Sequence, residues 1–341
     1  MRAGRFVLAL TLALVLFVLQ QSASIGGNSR FADALQNALH VPWFAALTVL
    51  GIVLSQPLHA RPGLRWTLLL FGLPALAWLT EVVQQFTGRS FEWSDFGRDC
   101  LAAAATLAVY RAILCPAGSR LTLLWLGLAA GLFGCALANI GLVSSAYLQR
   151  DAALPSLLDP GSTLSRVFLW PPPLEHQPEG APGASPDEPG IPLYSRTDGW
   201  DGLSLREPSS HIGAYAFMCT ELDLHSRGAA TLRLRVHDFT HERSVRRYED
   251  RFNLELPIAP GRRTIAIPMR AIRDAPRGRK LQLDDVAEIL VQVLSRPQPN
   301  GYLRVLRIYV VADCTSRSAP FTAPKTASAA HTSAPVLVAS R

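Results

Sequence analysis

The sequence has few charged residues and little cysteine. Asp, Glu, Lys and Arg make up 17% of the 341 residues, whereas hydrophobic residues make up 49%, and the mean hydropathy is +0.19. This composition excludes a disordered or fibrous chain. The five cysteines have no metal-ligand spacing, and the sequence has no nucleophile elbow, phosphate-binding loop or metal motif. We therefore expect no metal and no cofactor.

Charge is especially scarce in the first part of the chain. Residues 1–150 hold ten arginines, no lysine and five acids, whereas residues 151–341 hold 23 bases and 21 acids. This contrast indicates that the two parts lie in different solvents. The net charge of +7 comes mainly from arginines scattered between apolar runs. Because no basic stripe with interleaved aromatic residues occurs, nucleic acid is not an expected partner.

Long apolar runs fill the first part. A helix needs about 20 apolar residues to cross a hydrocarbon core of about 30 Å. The runs predict five membrane helices, near residues 5–21, 39–57, 66–86, 98–115 and 121–146. The first run also fits a cleaved signal peptide, because a basic start precedes it and small residues follow it. Both alternatives place the amino terminus in the cytoplasm.

Arginine placement predicts the orientation of these helices, because cytoplasmic loops carry an excess of positive residues. The arginines that mark cytoplasmic ends are Arg2, Arg5, Arg61, Arg65, Arg111 and Arg120. Five crossings then export everything after about residue 147. We expect a multi-pass protein of the bacterial cytoplasmic (inner) membrane, in contact with the lipid bilayer, with an extracytoplasmic C-terminal domain.

A few polar residues interrupt the apolar runs, and the predicted topology gathers them near the outer headgroups. This polar cluster comprises His40, Glu81, Gln84, Arg89, Asp95 and Asp99. Ionisable residues are costly within membrane segments, so Glu81 predicts a functional site. The alternative is that Glu81 only pairs with Arg89 and holds a loop against the bundle.

The same residues resemble the VanZ-like family of small membrane proteins, over about residues 30–115. The family pattern is a histidine followed by an aromatic residue, then E-x-x-Q, then R-x(5)-D-x(3)-N-x-x-G. The matching residues here are His40, Glu81, Gln84, Arg89 and Asp95. Asp99 stands where the family has Asn, and Ala102 stands where it has Gly. The family is named for resistance to the glycopeptide teicoplanin, so the resemblance implies a role in glycopeptide tolerance and the cell envelope.

The second part divides by composition. Residues 151–199 are rich in proline, which predicts a linker that cannot build a core. Residues 314–341 are rich in Ser, Thr, Ala and Pro and predict a disordered tail. Residues 200–313 hold about seven short strand-like runs, some of which alternate between apolar and polar side chains while others are continuously apolar, and this predicts an antiparallel β-sandwich. The expected fold is thus a membrane α-helical bundle of about five transmembrane helices, followed by an extracytoplasmic all-β sandwich.

This β-region resembles the galactose-binding-like jelly-roll domains through Trp200-Asp201-Gly202 and the entry to a late strand at Leu283–Ile289. The resemblance implies sugar binding, although the fold alone does not decide function. The ligand-binding residues that we predict are Trp200, His237, Asp238, His241, Tyr248, Asp250, Arg251 and Asn253. Carboxylates and amides beside aromatic rings suit a sugar.

Two alternatives remain for these residues. Asp238, Asp250 and Arg251 can instead form an ion-pair network that fixes a long loop. A zinc site at His237 and His241 is disfavoured, because no third ligand is spaced with them.

Two cysteines belong to the predicted exported part. Cys219 ends an early strand and Cys314 follows the last one. First and last strands are commonly neighbours in jelly rolls, so an oxidising compartment favours a disulfide between them. The alternative is two unrelated thiols.

The function expected from the sequence is binding rather than catalysis. The exported sandwich would bind glycan or another envelope component. A second hypothesis is an enzyme acting on lipid-linked sugars or phospholipid headgroups, with Glu81 or Asp95 as general base and His40 as acid. A third is a structural partner in the assembly of the envelope or its polysaccharide. The sequence identifies no protein partner.

Overall fold

The computed structural model describes residues 29–86, 91–170, 189–194, 202–294, 301–313 and 337–340. The chain divides into a helical unit, Met1–Ser144, and a β-sandwich unit, Ser145–Arg341. The helices are α1 (Arg30–Ala38), α2 (His40–Leu54), α3 (Pro62–Phe86), α4 (Trp93–Leu114), α5 (Arg120–Ala152) and the short α6 (Phe239–Glu242) and α7 (Met269–Arg273).

Three helical stretches of the described chain are long and apolar enough to cross a membrane, judged by length and composition: Arg30–Leu54, Pro62–Phe86 and Arg120–Ala152. At 1.5 Å per residue, a 25-residue helix is about 37 Å long, which exceeds the hydrocarbon core. Large apolar side chains such as Phe71 and Leu123 point outward. Such surfaces are rare on soluble monomers but suit lipid, so the helical unit has the properties of a membrane domain.

The five predicted spans therefore need qualification. The run near 5–21 lies outside the described residues. The fourth predicted span, near 98–115, corresponds to α4, which carries acidic and basic residues in its first two turns and is not among the three apolar stretches. The segment Arg30–Asp33, which lies between the first two predicted spans, begins α1, because the Ser29 hydroxyl caps the helix by accepting a hydrogen bond from Ala32 N.

Small residues hold α2, α3 and α4 together. Ala77 of α3 and Ala102 of α4 are completely buried and pack in one cluster with Phe44 and Leu47 of α2. Because an alanine side chain adds little bulk, two helix backbones can approach each other closely. This close packing brings polar side chains of the three helices into one space.

The β-sandwich unit contains two antiparallel sheets. Its strands are β1 (Ser156–Leu158), β2 (Leu169–Trp170), β3 (Ile191–Tyr194), β4 (Gly202–Arg206), β5 (Phe217–His225), β6 (Ala230–Asp238), β7 (Phe252–Ile258), β8 (Gly261–Pro268), β9 (Val286–Val293), β10 (Tyr302–Val311) and β11 (Leu337–Ser340). One sheet has the order β1-β10-β5-β8-β11, with β3 also paired to β10, and the other has the order β2-β4-β9-β6-β7.

The two sheets share one apolar core. Leu232, Leu234 and Val236 of β6 are fully buried, and they pack in the same cluster as Leu303 and Val305 of the other sheet. Successive side chains of a strand point to opposite faces, so the period of two places every second residue in this core. The seven strand regions predicted over residues 200–313 correspond to β4 to β10.

The boundaries of the sandwich differ from the sequence prediction. Strands β1, β2 and β3 lie within the predicted linker, residues 151–199, and pair with β10 or β4. Strand β11 lies in the predicted disordered tail and pairs with β8. Leu158 and Leu169 are buried in the core. Both predictions are wrong for these segments, because strands of two to four residues among prolines leave no readable period in the sequence.

Candidate functional site

Three helices bring members of the polar cluster together. His40 begins α2, Glu81 and Gln84 lie in the last two turns of α3, and Asp95 and Asp99 lie in the first two turns of α4. All five side chains are buried. The remaining member, Arg89, lies outside the described residues.

His40 lies between two carboxylates. Its Nδ1 atom is 3.1 Å from Asp99 Oδ1, and its Nε2 atom is 3.8 Å from Asp95 Oδ2. The first distance is that of a hydrogen bond. The second is too long for a hydrogen bond but is short enough for an ion pair. An imidazole held in this way can accept or donate a proton, and it can equally ligate a metal.

Glu81 completes this arrangement from the third helix. Its Oε2 atom accepts a hydrogen bond from the backbone N–H of Glu92, at 3.2 Å, just before α4. One ligand atom from each of His40, Glu81 and Asp99 lies within 4.8 Å of the other two. Among the described residues, these three form the group that is compact enough to hold a metal ion.

Arg98 belongs to the same site and was not predicted from the sequence. Its guanidinium group pairs with Asp95, one turn earlier on α4, and also donates a hydrogen bond to Ser94 Oγ at 3.2 Å. The signal for it was the i, i+3 spacing of Asp95 and Arg98, which places both side chains on one helix face. Arg98 thereby balances the charge of Asp95 within the bundle.

A second polar group lies at the beginning of α3 and also escaped sequence reasoning. The buried Arg65 donates hydrogen bonds to Ser55 Oγ at 3.1 Å and to Tyr110 Oη at 2.9 Å, and it contacts His59 Nδ1 at 3.2 Å. In the sequence, the position of Arg65 predicted only a cytoplasmic helix end. These contacts tie the end of α2 to α3 and α4.

In the β-sandwich, several predicted ligand-binding residues form ion pairs with one another. Asp238 is completely buried at the start of α6 and accepts hydrogen bonds from His241 N, Gln282 N and the Arg279 guanidinium group. Arg279 also pairs with Asp250, whose Oδ2 atom lies 3.4 Å from His241 Nδ1. We call Asp238, His241, Asp250 and Arg279 the loop network.

Charge pairing in the loop network shifts the acidities of its carboxylates. Burial alone raises the pKa of Asp238, but the Arg279 guanidinium and two backbone N–H groups outweigh burial and hold this pKa below its ordinary value. The Arg279 hydrogen bond likewise lowers the pKa of Asp250. Both carboxylates are therefore ionised and serve to hold the loop through their ion pairs. The ion-pair alternative is observed here, with Arg279 in the place predicted for Arg251.

His237 and His241 are buried side by side, with ring centroids 4.9 Å apart. His237 lies 3.4 Å from Glu242 and 3.5 Å from Glu288. Burial lowers the pKa of both histidines despite the nearby carboxylates, since a charged imidazolium loses its hydration there. In the part of the chain that the structure describes, no third ligand atom joins the two rings in a compact metal group.

The loop network supports a pocket at the surface. The lining residues of this loop pocket are Ser244, Val245, Arg247, Glu249, Asp250 and Arg277, and its volume is about 500 Å³. The backbone N–H of Arg277 donates to Glu249 O at 3.0 Å, which joins the two walls.

The other predicted residues of this region flank the loop. Tyr248 is half exposed, with Arg251 placed 5.3 Å from its ring centroid. Asn253 donates to Tyr248 O at 3.0 Å. Trp200 lies outside the described residues, so its place in the site stays a prediction.

The structure describes one of the two cysteines of the predicted disulfide. Cys219 is buried on β5, opposite Tyr309 of β10. The first long strand of this sheet and the last long strand are therefore neighbours, but Cys219 is the third residue of β5, whereas the prediction placed it at the end of a strand. Cys314 lies outside the described residues, so the disulfide itself stays a prediction.

Comparison with protein-family models, with curated proteins and with solved structures found no match to this chain.

Proposed function

We propose that this protein is a multi-pass membrane protein of the bacterial cell envelope, whose β-sandwich binds an envelope glycan in the loop pocket. The loop pocket carries this proposal. Arg247, Glu249 and Arg277 place charged groups around a space of about 500 Å³, a volume within the range of small-ligand sites. Tyr248 lies in the chain between two residues of the pocket wall and is half exposed, and sugars pack their apolar ring faces on aromatic surfaces.

The loop network gives this site its rigidity. Arg279 joins Asp238, at one end of the loop, to Asp250, at the other end, so we expect the pocket walls to keep their shape without a ligand. A preformed pocket loses little conformational entropy on binding. Asp238, His241 and Arg279 are therefore positioning residues, and the contacts with glycan come from the pocket walls.

Two features support placement in the cell envelope. The helical unit presents apolar stretches that suit a bilayer, and the polar cluster resembles the VanZ-like family in residue types and spacing. A link to glycopeptide tolerance or to envelope polysaccharide assembly follows from that resemblance and belongs to this proposal.

Glycan binding can be tested with the full chain in lipid nanodiscs, applied to an array of neutral and acidic envelope polysaccharides and lipid-linked saccharides. Arg277→Met removes a pocket charge but keeps the backbone bond to Glu249. This substitution and Tyr248→Ala should each weaken binding to the glycan that the unsubstituted protein binds on the array. The expected loss is about tenfold or more, because each substitution removes a contact worth about 1.4 kcal/mol or more.

Arg227→Met is the matched control, because it makes the same chemical change at an exposed turn residue between β5 and β6. Its binding should equal that of the unsubstituted protein. The proposal fails if no saccharide binds, or if Arg277→Met and Arg227→Met bind equally well. The second result would favour a protein partner for the sandwich.

A second candidate function is an enzyme of the membrane interface that acts on lipid-linked sugars or phospholipid headgroups. The placement of His40 between Asp95 and Asp99 favours it, because an imidazole flanked by carboxylates suits proton transfer. Turnover of a lipid-linked saccharide that is lost in Asp99→Asn and kept in Glu92→Gln would support catalysis. Absence of turnover in the unsubstituted protein would exclude this reaction for the substrates tested.

A further inference from the structure

The polar cluster contains a donor set that suits a metal ion better than it suits hydrogen bonds alone. One imidazole nitrogen and two carboxylate oxygens, from His40, Glu81 and Asp99, lie within 4.8 Å of one another. Ligands bound at about 2.1 Å in a tetrahedral site are separated by about 3.4 Å. Small rotations of the side chains can shorten the separation from up to 4.8 Å to about 3.4 Å. Each ligand comes from a different helix, so each side chain can rotate independently of the others.

Asp99 provides an independent observation. The residue is completely buried, and its Oδ2 atom has no hydrogen-bond partner among the described residues. A buried carboxylate oxygen without a donor costs free energy, and more so when the group is charged. A cation at this position would remove the cost, since it would coordinate the oxygen directly.

The surrounding charges also favour a cation. Arg98 is bound to Asp95, so this guanidinium group is engaged with a carboxylate other than those of Glu81 and Asp99. Metal-ligating histidines almost always direct their second ring nitrogen at a carboxylate or carbonyl. Asp95 lies on that side of His40, 3.8 Å from Nε2, and Arg98 holds it in place.

We propose that His40, Glu81 and Asp99 form a binding site for one divalent transition-metal ion of the zinc class, with Asp95 as the positioning residue behind the imidazole. His40 ligates through Nδ1, and its Nε2–H faces Asp95. Three protein ligands leave at least one position for water or a polar headgroup. Sequence reasoning predicted no metal because the three ligands lie far apart in the chain and match no spacing motif. The site is independent of glycan binding by the sandwich.

The test uses the full chain in nanodiscs, stripped with a chelator and titrated with Zn²⁺ by calorimetry. Bound zinc after dialysis is measured by mass spectrometry. One ion per chain is expected. His40→Gln and Asp99→Asn should each weaken Zn²⁺ binding by about 100-fold, and Asp95→Asn by about tenfold, as outer-shell substitutions commonly do.

Two controls separate this site from other places where zinc can bind. Glu92→Gln changes an exposed carboxylate next to the cluster, and His241→Gln removes a histidine from the sandwich; both should retain one tightly bound ion. If His241→Gln loses the ion while Asp99→Asn keeps it, the assigned site is wrong. Absence of tight Zn²⁺ binding in the unsubstituted chain would also overturn the proposal and leave Glu81 to an ion pair with Arg89.

Substitution in a bundle core can prevent folding, so a measurement on the unsubstituted chain is needed too. Co²⁺ substituted for Zn²⁺ reports its ligands by visible absorption. Bands of a tetrahedral or five-coordinate nitrogen and oxygen site, displaced by Zn²⁺, are the expected result. A spectrum equal to that of aqueous Co²⁺ would contradict the site, whatever the variants do.

Discussion

Arg279 is the residue on which the sandwich loop depends most. Its guanidinium group binds Asp238 through two nitrogens and Asp250 through a third. The sequence identified both acids and, in one alternative, offered Arg251 as their cation. Arg279 lies in the connection between α7 and β9, far from both acids in the chain, so only the fold shows that it pairs with them. Arg251 instead lies over the Tyr248 ring.

Replacing Arg279 with Met should destabilise the sandwich by about 3 kcal/mol, because Asp238 stays buried without its counter-ion. Thermal or denaturant unfolding of the full chain measures this change. Arg273→Met is the control, since Arg273 pairs with the exposed Asp274, and surface pairs contribute little. Equal stability of the two variants would show that the loop network is not what fixes the loop.

The histidines of the sandwich predict a dependence of stability on pH. The pKa of His237 and of His241 is lower than the ordinary 6.5, mainly through burial. The folded state therefore binds fewer protons than the unfolded chain, and stability should fall as the pH decreases below about 6.5. Asp238 and Asp250, whose pKa lies below the ordinary 3.8, add a second loss below about pH 4.

Unfolding temperatures of the full chain between pH 8 and pH 5 test the upper window. The unfolding temperature should decline over this range, and His237→Gln should reduce the decline. His211→Gln, at an exposed position, should leave it unchanged. A constant unfolding temperature from pH 8 to pH 5 would contradict burial of neutral histidines.

At the scale of elements, the sequence predicts those helices and strands whose hydrophobic pattern extends over enough residues to be recognised. The strands β4 to β10 follow from alternation or from short apolar runs, and α2, α3, α4 and α5 follow from long apolar runs. The nine-residue α1 falls below that length and depends on its Ser29 cap. The polar cluster was predictable as a group because the topology brings helix ends together, whereas the distances within it depend on packing at Ala77 and Ala102.

Neighbouring strands β5 and β10 give the disulfide prediction its structural basis. Protein purified without reductant, then denatured and alkylated, should show modification at Cys100, Cys115 and Cys135 and none at Cys219 or Cys314 until reductant is added. An exported, oxidising location is the physical reason. Alkylation of Cys219 in the unreduced sample would show that no disulfide forms there.

At the scale of the whole molecule, the chain joins a unit with the surface of a membrane protein to a unit with an apolar core shared by two sheets. The first unit keeps its charges inside or at helix ends, whereas the second buries a few, such as Asp238, and also places charges on strand faces turned to water. Arg233 and Glu255, for example, pair across β6 and β7 at 2.6 Å on the exposed face. This contrast is the physical basis for expecting the two units in different compartments.

The topology prediction follows from arginines around the turn between α4 and α5. Arg111 and Arg120 flank this turn, which favours a cytoplasmic location, and the 33 residues of α5 span about 50 Å, more than a hydrocarbon core. A reporter active only after export should be inactive when fused after Gly118 and active when fused after Ser195. A reporter that fluoresces only in the cytoplasm should give the reverse pattern. Cytoplasmic fluorescence of the fusion after Ser195 would rule out five crossings, and glycan binding outside the cell with it.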